Sequence, residues 1–276
     1  MARRGVREGP PSSGLGAPSR APYPEAVSGG ELLLIALAGL ACGAVNALAG
    51  GGSLILFPAL IATGMGPLAA NVTNSVSTWP GYLGSTLGFR PEIEAQRHRL
   101  PPLAVATLLG SIIGCVLLLI TPPDAFDAIV PLLVVAAALL LAVQPAVARR
   151  VGQPVDGHRR TKQLQLGGVF FASIYGGYFG AALGVIFLAV LALTIAEPLK
   201  RLNGLKAVLS VVDSTVSLVV FGLFGPVDWV AVAIAAPAAL LGGYLGARGA
   251  RRVDDQVLRT GIVVFAIGVA IVLAVT

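Results

Sequence analysis

Apolar runs separated by short polar stretches set the pattern of this chain: 32–61, 71–88, 103–121, 126–147, 166–196, 205–224, 229–247 and 259–276. About 18 apolar residues suffice for a helix to cross a hydrocarbon layer about 30 Å thick. The pattern therefore predicts an all-α integral membrane protein, a polytopic helix bundle of about eight hydrophobic segments. The longest polar interruptions, 1–30 and 149–165, are too small and too polar to enclose a core of their own. The organisation expected is a disordered N-terminal tail over 1–30, a first membrane repeat over 31–148, a basic cytoplasmic loop over 149–165 and a second membrane repeat over 166–276. The tail is rich in Pro, Gly, Ser and Arg and has no apolar stretch of the kind a secretory signal needs.

The repeat is suggested by laying 41–79 over 173–211, which pairs two segments of one layout: a long apolar run broken by small residues, a short polar turn, and another span. The first break is Ala49-Gly50-Gly51-Gly52, and its counterpart is placed at Gly180-Ala181-Ala182-Leu183-Gly184. Charge then constrains topology. The basic loops 90–99, 149–162, 200–206 and 248–259 all belong on the cytoplasmic side by the positive-inside rule. One crossing per run would put 149–162 and 200–206 on opposite sides. If 166–196 instead enters and leaves on one side as two short half-helices, all four loops agree. The same treatment of 32–61 gives halves of opposite orientation, an inverted-topology repeat with broken helices. It places the tail, with Arg3, Arg4, Arg7 and Arg20, outside. A plain eight-helix bundle with parallel halves is the alternative.

Non-helical backbone at membrane depth survives only where protein covers it or where it lines a wet cavity. Two breaks from two halves are thus expected to face one cavity. The half-helix starting near Ser53 would direct its amide N–H groups there, an environment that suits an anion. Gly50, Gly51 and Gly52 either let a ligand approach the backbone or permit close helix packing. The candidate substrate-binding residues around the breaks are Asn46, Gly50, Gly51, Gly52, Ser53, Asn71, Asn74, Thr78, Tyr175, Asn203 and Lys206. Asn71, Asn74 and Thr78 share a helical face, as do Asn203, Lys206, Ser210 and Asp213. Asp213 lies in an otherwise apolar span, where a carboxylate is costly; it is the candidate for proton coupling, or else half of a structural ion pair. Lys206 is read as lying nearer the membrane edge, where it either snorkels to the interface or touches ligand. Trp229, at the edge of its run, reads as an interface-belt residue.

Composition adds exclusions. The chain is 56% hydrophobic and 12% charged, and its formal charge of +6 sits in loops and tail, as a topology signal rather than a nucleic-acid surface. Cys42 and Cys115 both lie in apolar runs and suggest neither a disulfide framework nor a metal site. His98 and His158 lie in polar loops, so a serine-hydrolase reading of Gly52-Ser53 has no base. No zinc-ligand spacing and no phosphate-binding glycine loop occur, and no cofactor is implied. What remains is a secondary carrier, with a passive channel, a scaffold and an intramembrane enzyme as competing classes. Its expected partners are the lipid bilayer, a small anion, and protons as coupling ion.

The stretches GAVNALAGGGSLILFPALIATG, ANVTNSVSTWPGYLGS, YGGYFGAALGVI, RLNGLKAV and VDW together resemble the TauE/SafE family of sulfite-exporter-like membrane proteins over about residues 32–276. Ala181-Ala182 depart from the glycine expected near the second break. The resemblance implies a multi-pass carrier of the inner or plasma membrane, exporting a small anion such as sulfite or an organosulfonate.

Overall fold

The structure, a computed structural model, describes residues 28–148 and 159–249, without side chains for the last turn of the helix ending at Ala148. The expected last segment, 259–276, the tail over 1–27 and the loop centre over 149–158 lie outside the described residues. Among the described residues the elements are α1 (Gly29–Leu48), α2 (Ser53–Ala62), α3 (Pro67–Gly88), α4 (Arg90–Glu94), a 3-10 turn (Arg97–Arg99), α5 (Leu100–Ile120), α6 (Pro123–Ala148), α7 (Arg159–Tyr178), α8 (Leu183–Thr194), α9 (Leu199–Phe224) and α10 (Trp229–Gly249). Among the described residues, five stretches are long and apolar enough to cross a membrane: Gly29–Leu48, Arg97–Ile120, Pro123–Ala142, Leu199–Phe224 and Trp229–Gly249. The protein is an all-α membrane protein. Large apolar side chains such as Leu33, Leu37, Val105, Leu109, Leu132, Phe171 and Leu223 face outward, while Asn71, Thr73, Asn74, Ser77 and Thr78 of α3 are buried. That is the distribution expected where the solvent is hydrocarbon.

Both long runs fold back on themselves. A Cβ on Gly52 would strike the carbonyl of Cys42, ten residues earlier, so the chain reverses at Ala49–Gly52 and α2 returns along α1. Gly168 likewise abuts Val190, which brings α8 back along α7. The legs are unequal, which corrects the expectation of two short half-helices. With 20 residues each, α1 and α7 are about 30 Å long. The returning α2 and α8, of 10 and 12 residues, reach only about 15 and 18 Å, roughly half the hydrocarbon thickness. Both first legs start before their apolar runs, at Gly29 in α1 and at Arg159 in α7. In α1 a capping box sets the start: Glu31 N donates to Ser28 Oγ (3.3 Å) and Ser28 N to Glu31 Oε2 (2.7 Å). In α7 the polar residues from Arg159 onward are already helical.

The helix contacts keep the same pattern when the halves are exchanged. α1 packs on α10 as α7 packs on α5, α3 on α10 as α9 on α5, and α3 meets α9 at the centre. Small residues set the distances. Gly242 and Gly246 of α10 lie against the carbonyls of Leu40 and Ala44, as Gly110 and Gly114 of α5 lie against those of Phe170 and Ile174. Each pair is a Gly-x-x-x-Gly stripe that lets backbones approach. Along the central pair, Val72 meets Gly225, Trp79 Nε1 donates to Thr215 Oγ1 (2.8 Å), and Glu92, beyond α3, meets Gly204. As α3 runs forward its partners on α9 run backward, so these two equivalent helices are antiparallel.

Basic segments gather at one end. Lys200 pairs with Glu92, Gln96 Nε2 donates to the Arg201 carbonyl (2.9 Å), and Arg99 lies 3.9 Å from Glu197. Leu166, near the start of α7, packs into the same cluster as Leu100 and Leu199. Gly88 touches Ala247 beside Arg248.

Close backbone contact predicts opposite signs for one substitution at two helical glycines. Gly43→Ala drives its Cβ into the Ala239 carbonyl and is expected to cost about 1–3 kcal/mol. Gly167→Ala, with nothing within 4 Å, is expected to be neutral or slightly stabilising through helix propensity, by up to about 1 kcal/mol. Thermal unfolding of both variants in detergent checks this.

Candidate functional site

The two breaks share one hydrogen-bond pattern. Ala49 N and Gly50 N both donate to the Val45 carbonyl, and Phe179 N and Gly180 N both donate to that of Tyr175. Ile55 N and Leu56 N donate to the Gly52 carbonyl as Val185 N and Ile186 N donate to that of Ala182. The matching offset is 130 residues, Val45 to Tyr175 and Gly52 to Ala182, rather than the 132 of the sequence overlay, and the second break accordingly begins at Phe179. Backbone bonds, invisible in a low-identity comparison, fix this register. Gly50 (φ 85°) and Gly180 (φ 75°) take left-handed conformations that lack of a Cβ makes accessible. Ala182 (φ 59°) is the one non-glycine among the described residues to do so, a strained position where the sequence departs from glycine.

The tips of the two breaks touch. A Cβ on Gly50 would lie 2.7 Å from the Gly184 Cα, and the converse distance is the same. Side chains satisfy backbone groups that the breaks set free. Asn46 Oδ1 accepts from Gly52 N (2.7 Å), and Tyr175 donates its hydroxyl to the Ala181 carbonyl (2.7 Å). Each C-terminal end is also met from the other half. Lys206 of α9 points its Nζ at the carbonyls of Asn46 and Ala47 (both 3.4 Å), while Asn71 Nδ2 of α3 donates to the Tyr178 carbonyl (3.0 Å). A cation at a helix C-terminus is favourable for the same reason that free carbonyls need donors there. Lys206 is 2% exposed, which corrects its placement near the membrane edge. It points inward across the bundle because the end of α1 supplies acceptors that lipid does not.

Beside the second break lies a small cleft of about 10 Å³, lined by Ser53, Asn74, Ser75, Thr78, Tyr82, Gly176, Gly180, Leu183, Asp213, Ser214 and Ser217. Ser53 and Leu183 are the first residues of α2 and α8, so both short helices present their N-terminal ends here. Asp213 is 4% exposed and accepts a hydrogen bond from Ser111 Oγ of α5 (2.5 Å). Gly176 leaves the room: a Cβ there would sit 2.6 Å from Asp213 Oδ1.

The expected site residues thus divide. Ser53, Asn74, Thr78 and Asp213 come together on the cleft, whereas Asn46, Asn71, Tyr175 and Lys206 hold the backbone of the breaks. Gly50 lies at the tip contact, Gly51 against Leu141, and Gly52 against Cys42. Asn203 is half-buried, away from the cleft lining. Sequence reasoning missed Ser111, Tyr82 and Ser217. The signal for Ser111 is the row Thr107, Ser111 and Cys115, one polar-tinged face at i, i+4 and i+8 of an apolar run, all three buried.

The model of the sulfite exporter TauE/SafE family matches residues 35–273. The chain is 26% identical over 242 residues to the probable membrane transporter protein ORF9 of Sinorhizobium sp, covering 87% of this chain and 91% of that one. It is 26% identical to a probable membrane transporter protein of Haemophilus influenzae, over 84% of this chain and 90% of the other. The same identity holds to the probable membrane transporter protein YfcA of Escherichia coli, covering 80% and 81%. No solved structure matches it. With paired broken helices, a buried polar cleft and a family match over most of its length, this chain belongs to the sulfite exporter TauE/SafE family of membrane transporters.

Proposed function

We propose that this protein is a secondary transporter of the cell membrane that exports a small anion, such as sulfite or an organosulfonate, by alternating access. The observation that carries the reading is the meeting of two helix breaks beside one buried cleft that holds Asp213. The ends of α2 and α8 supply positive dipole ends toward an anion in or beside that cleft. The half-length of α2 and α8 sets this point inside the bundle rather than at its surface.

An inverted-topology repeat fits the antiparallel course of α3 and α9 and the exchange-symmetric contacts. The basic segments gathered at one end fit a cytoplasmic placement of that end. In such an arrangement each half can rock against the other about the tip contact, opening the cleft to one side and then to the other. Asp213 gives the cycle its coupling. A carboxylate in this setting must have its charge balanced by a proton or another monovalent cation before the cleft closes around it.

Proteoliposomes loaded with labelled sulfite, with sulfoacetate as comparison, test the reading. Saturable efflux that an ion gradient can drive uphill is expected. Asp213→Asn should reduce gradient-driven flux by about tenfold or more while leaving the protein folded and inserted. Gly50→Ala should suppress flux as well, because the substitution meets both a positive φ and the Gly184 backbone. Flux that follows the sulfite gradient alone, untouched by Asp213→Asn, would mark a passive channel instead.

A further inference from the structure

Several hydroxyls of the cleft spend their hydrogens on backbone carbonyls and turn lone pairs to the cleft. Thr78 spends its one hydroxyl hydrogen on the Ser75 carbonyl (3.0 Å), Ser75 on that of Asn71 (2.9 Å), and Ser217 on that of Asp213 (3.3 Å). Each of these oxygens keeps only lone pairs for the cleft. Asn74 Oδ1 and Ser214 Oγ are buried with no hydrogen-bond partner, on residues 2% and 4% exposed that line the same cleft. Asp213 adds a carboxylate, and no basic residue lines the cleft, since Lys206 is directed to the end of α1.

We propose that this cleft is a Na+ site, ligated by the Asp213 carboxylate, Asn74 Oδ1 and the hydroxyl oxygens of Thr78 and Ser214, and that Na+ is the coupling ion. The coupling clause rests on the transporter reading above; the binding site does not. Hard cations take oxygen ligands of these kinds, carboxylate, amide and hydroxyl together. A single carboxylate balances a single positive charge. Among the described residues no group of three acidic, His or Cys side chains is assembled, as a divalent or transition-metal site would draw on. A proton on Asp213 would balance the charge equally well but would leave Asn74 Oδ1 and Ser214 Oγ unpaired in a buried setting. An anion alone would meet the Asp213 carboxylate with no cation to balance it. With Na+ bound, the Asp213 charge is neutralised and no longer repels an anion approaching the N-terminal ends of α2 and α8. Gly176, in the last turn of α7, and Gly180, in the break, bring backbone to the same cleft, as broken helices do in other coupled carriers. A ring of side-chain oxygens around so small a space suits Na+ better than the larger K+.

The test is binding of radiolabelled Na+ to the purified full-length protein in detergent, with thermal unfolding in NaCl, KCl and choline chloride alongside. Saturable Na+ binding is expected, with a rise in the unfolding midpoint specific to NaCl. Asn74→Ala and Ser214→Ala should each raise the half-saturating Na+ concentration by about tenfold or more, and Asp213→Asn should abolish binding. Unchanged unfolding midpoints in choline chloride show that these variants fold. If Asp213→Asn does not fold, the two milder variants decide the matter. No Na+ binding, or binding indifferent to all three substitutions, overturns the site. Sulfite flux in proteoliposomes separates this from the transporter reading. Flux driven by a pH gradient and indifferent to Na+ overturns Na+ coupling and leaves the transporter standing. Na+ binding in a protein that moves no sulfur oxyanion upholds the site and sends the substrate assignment elsewhere.

Discussion

A backbone that stops being helical inside a membrane needs partners for its amide groups, because hydrocarbon offers none. The rest of this structure follows from how that need is met twice. At Ala49–Gly52 the break is held by Asn46 from its own helix and by Lys206 from the opposite half; at Phe179–Ala182 it is held by Tyr175 and by Asn71 in the same two roles. Each half therefore completes the other. The tip contact between Gly50 and Gly184 is the geometric expression of that dependence, and it places α2 and α8 where their N-terminal ends approach one cleft.

Small residues make this possible at the scale of whole helices. The Gly-x-x-x-Gly stripes on α5 and α10 bring those helices against α7 and α1 of the other half, so that the halves are interleaved rather than merely side by side. Large side chains are left to face outward or to fill the apolar clusters around the breaks, such as Phe57 edge-on to Phe179 at 5.5 Å between centroids. Asp213 sits at the inner end of this packing, with Gly176 opposite it in place of a side chain. The cleft lies between α3 and α9, with Ser53 at the start of α2 on its lining and Ser111 of α5 against Asp213.

Much of this was legible in the residues. The apolar runs pointed to a polytopic helical membrane protein, five of whose helices among the described residues are long and apolar enough to cross, and the glycine triplet marked a break in the helix, because glycine interrupts a membrane helix for a reason. Four of the candidates line one cleft: Asn74 and Thr78 were picked out by helical spacing, Ser53 by the half-helix start at the glycine break, and Asp213 as a carboxylate in an apolar span. The division of labour was not. Lys206 and Asp213 share a face of α9, yet Lys206 reaches the carbonyls at the end of α1 and Asp213 meets the Ser111 hydroxyl of α5, a distinction set by which neighbour supplies acceptors and which a donor. Ser111 was hidden for a related reason: one hydroxyl in an apolar run shows its purpose only when a carboxylate from another helix lies against it. The length of α7 was hidden too, since the polar residues from Arg159 on extend the helix past its apolar stripe.

The central claim is that the cleft between α3 and α9 opens by turns to the two sides of the membrane. It is tested most directly by Ser75→Cys in a background where the buried Cys42 and Cys115 are replaced by alanine, using a membrane-impermeant thiol reagent applied to each face of oriented vesicles. The account predicts labelling from both faces, with substrate or ion gradients shifting reactivity from one face to the other. Labelling confined to one face under every gradient would contradict it.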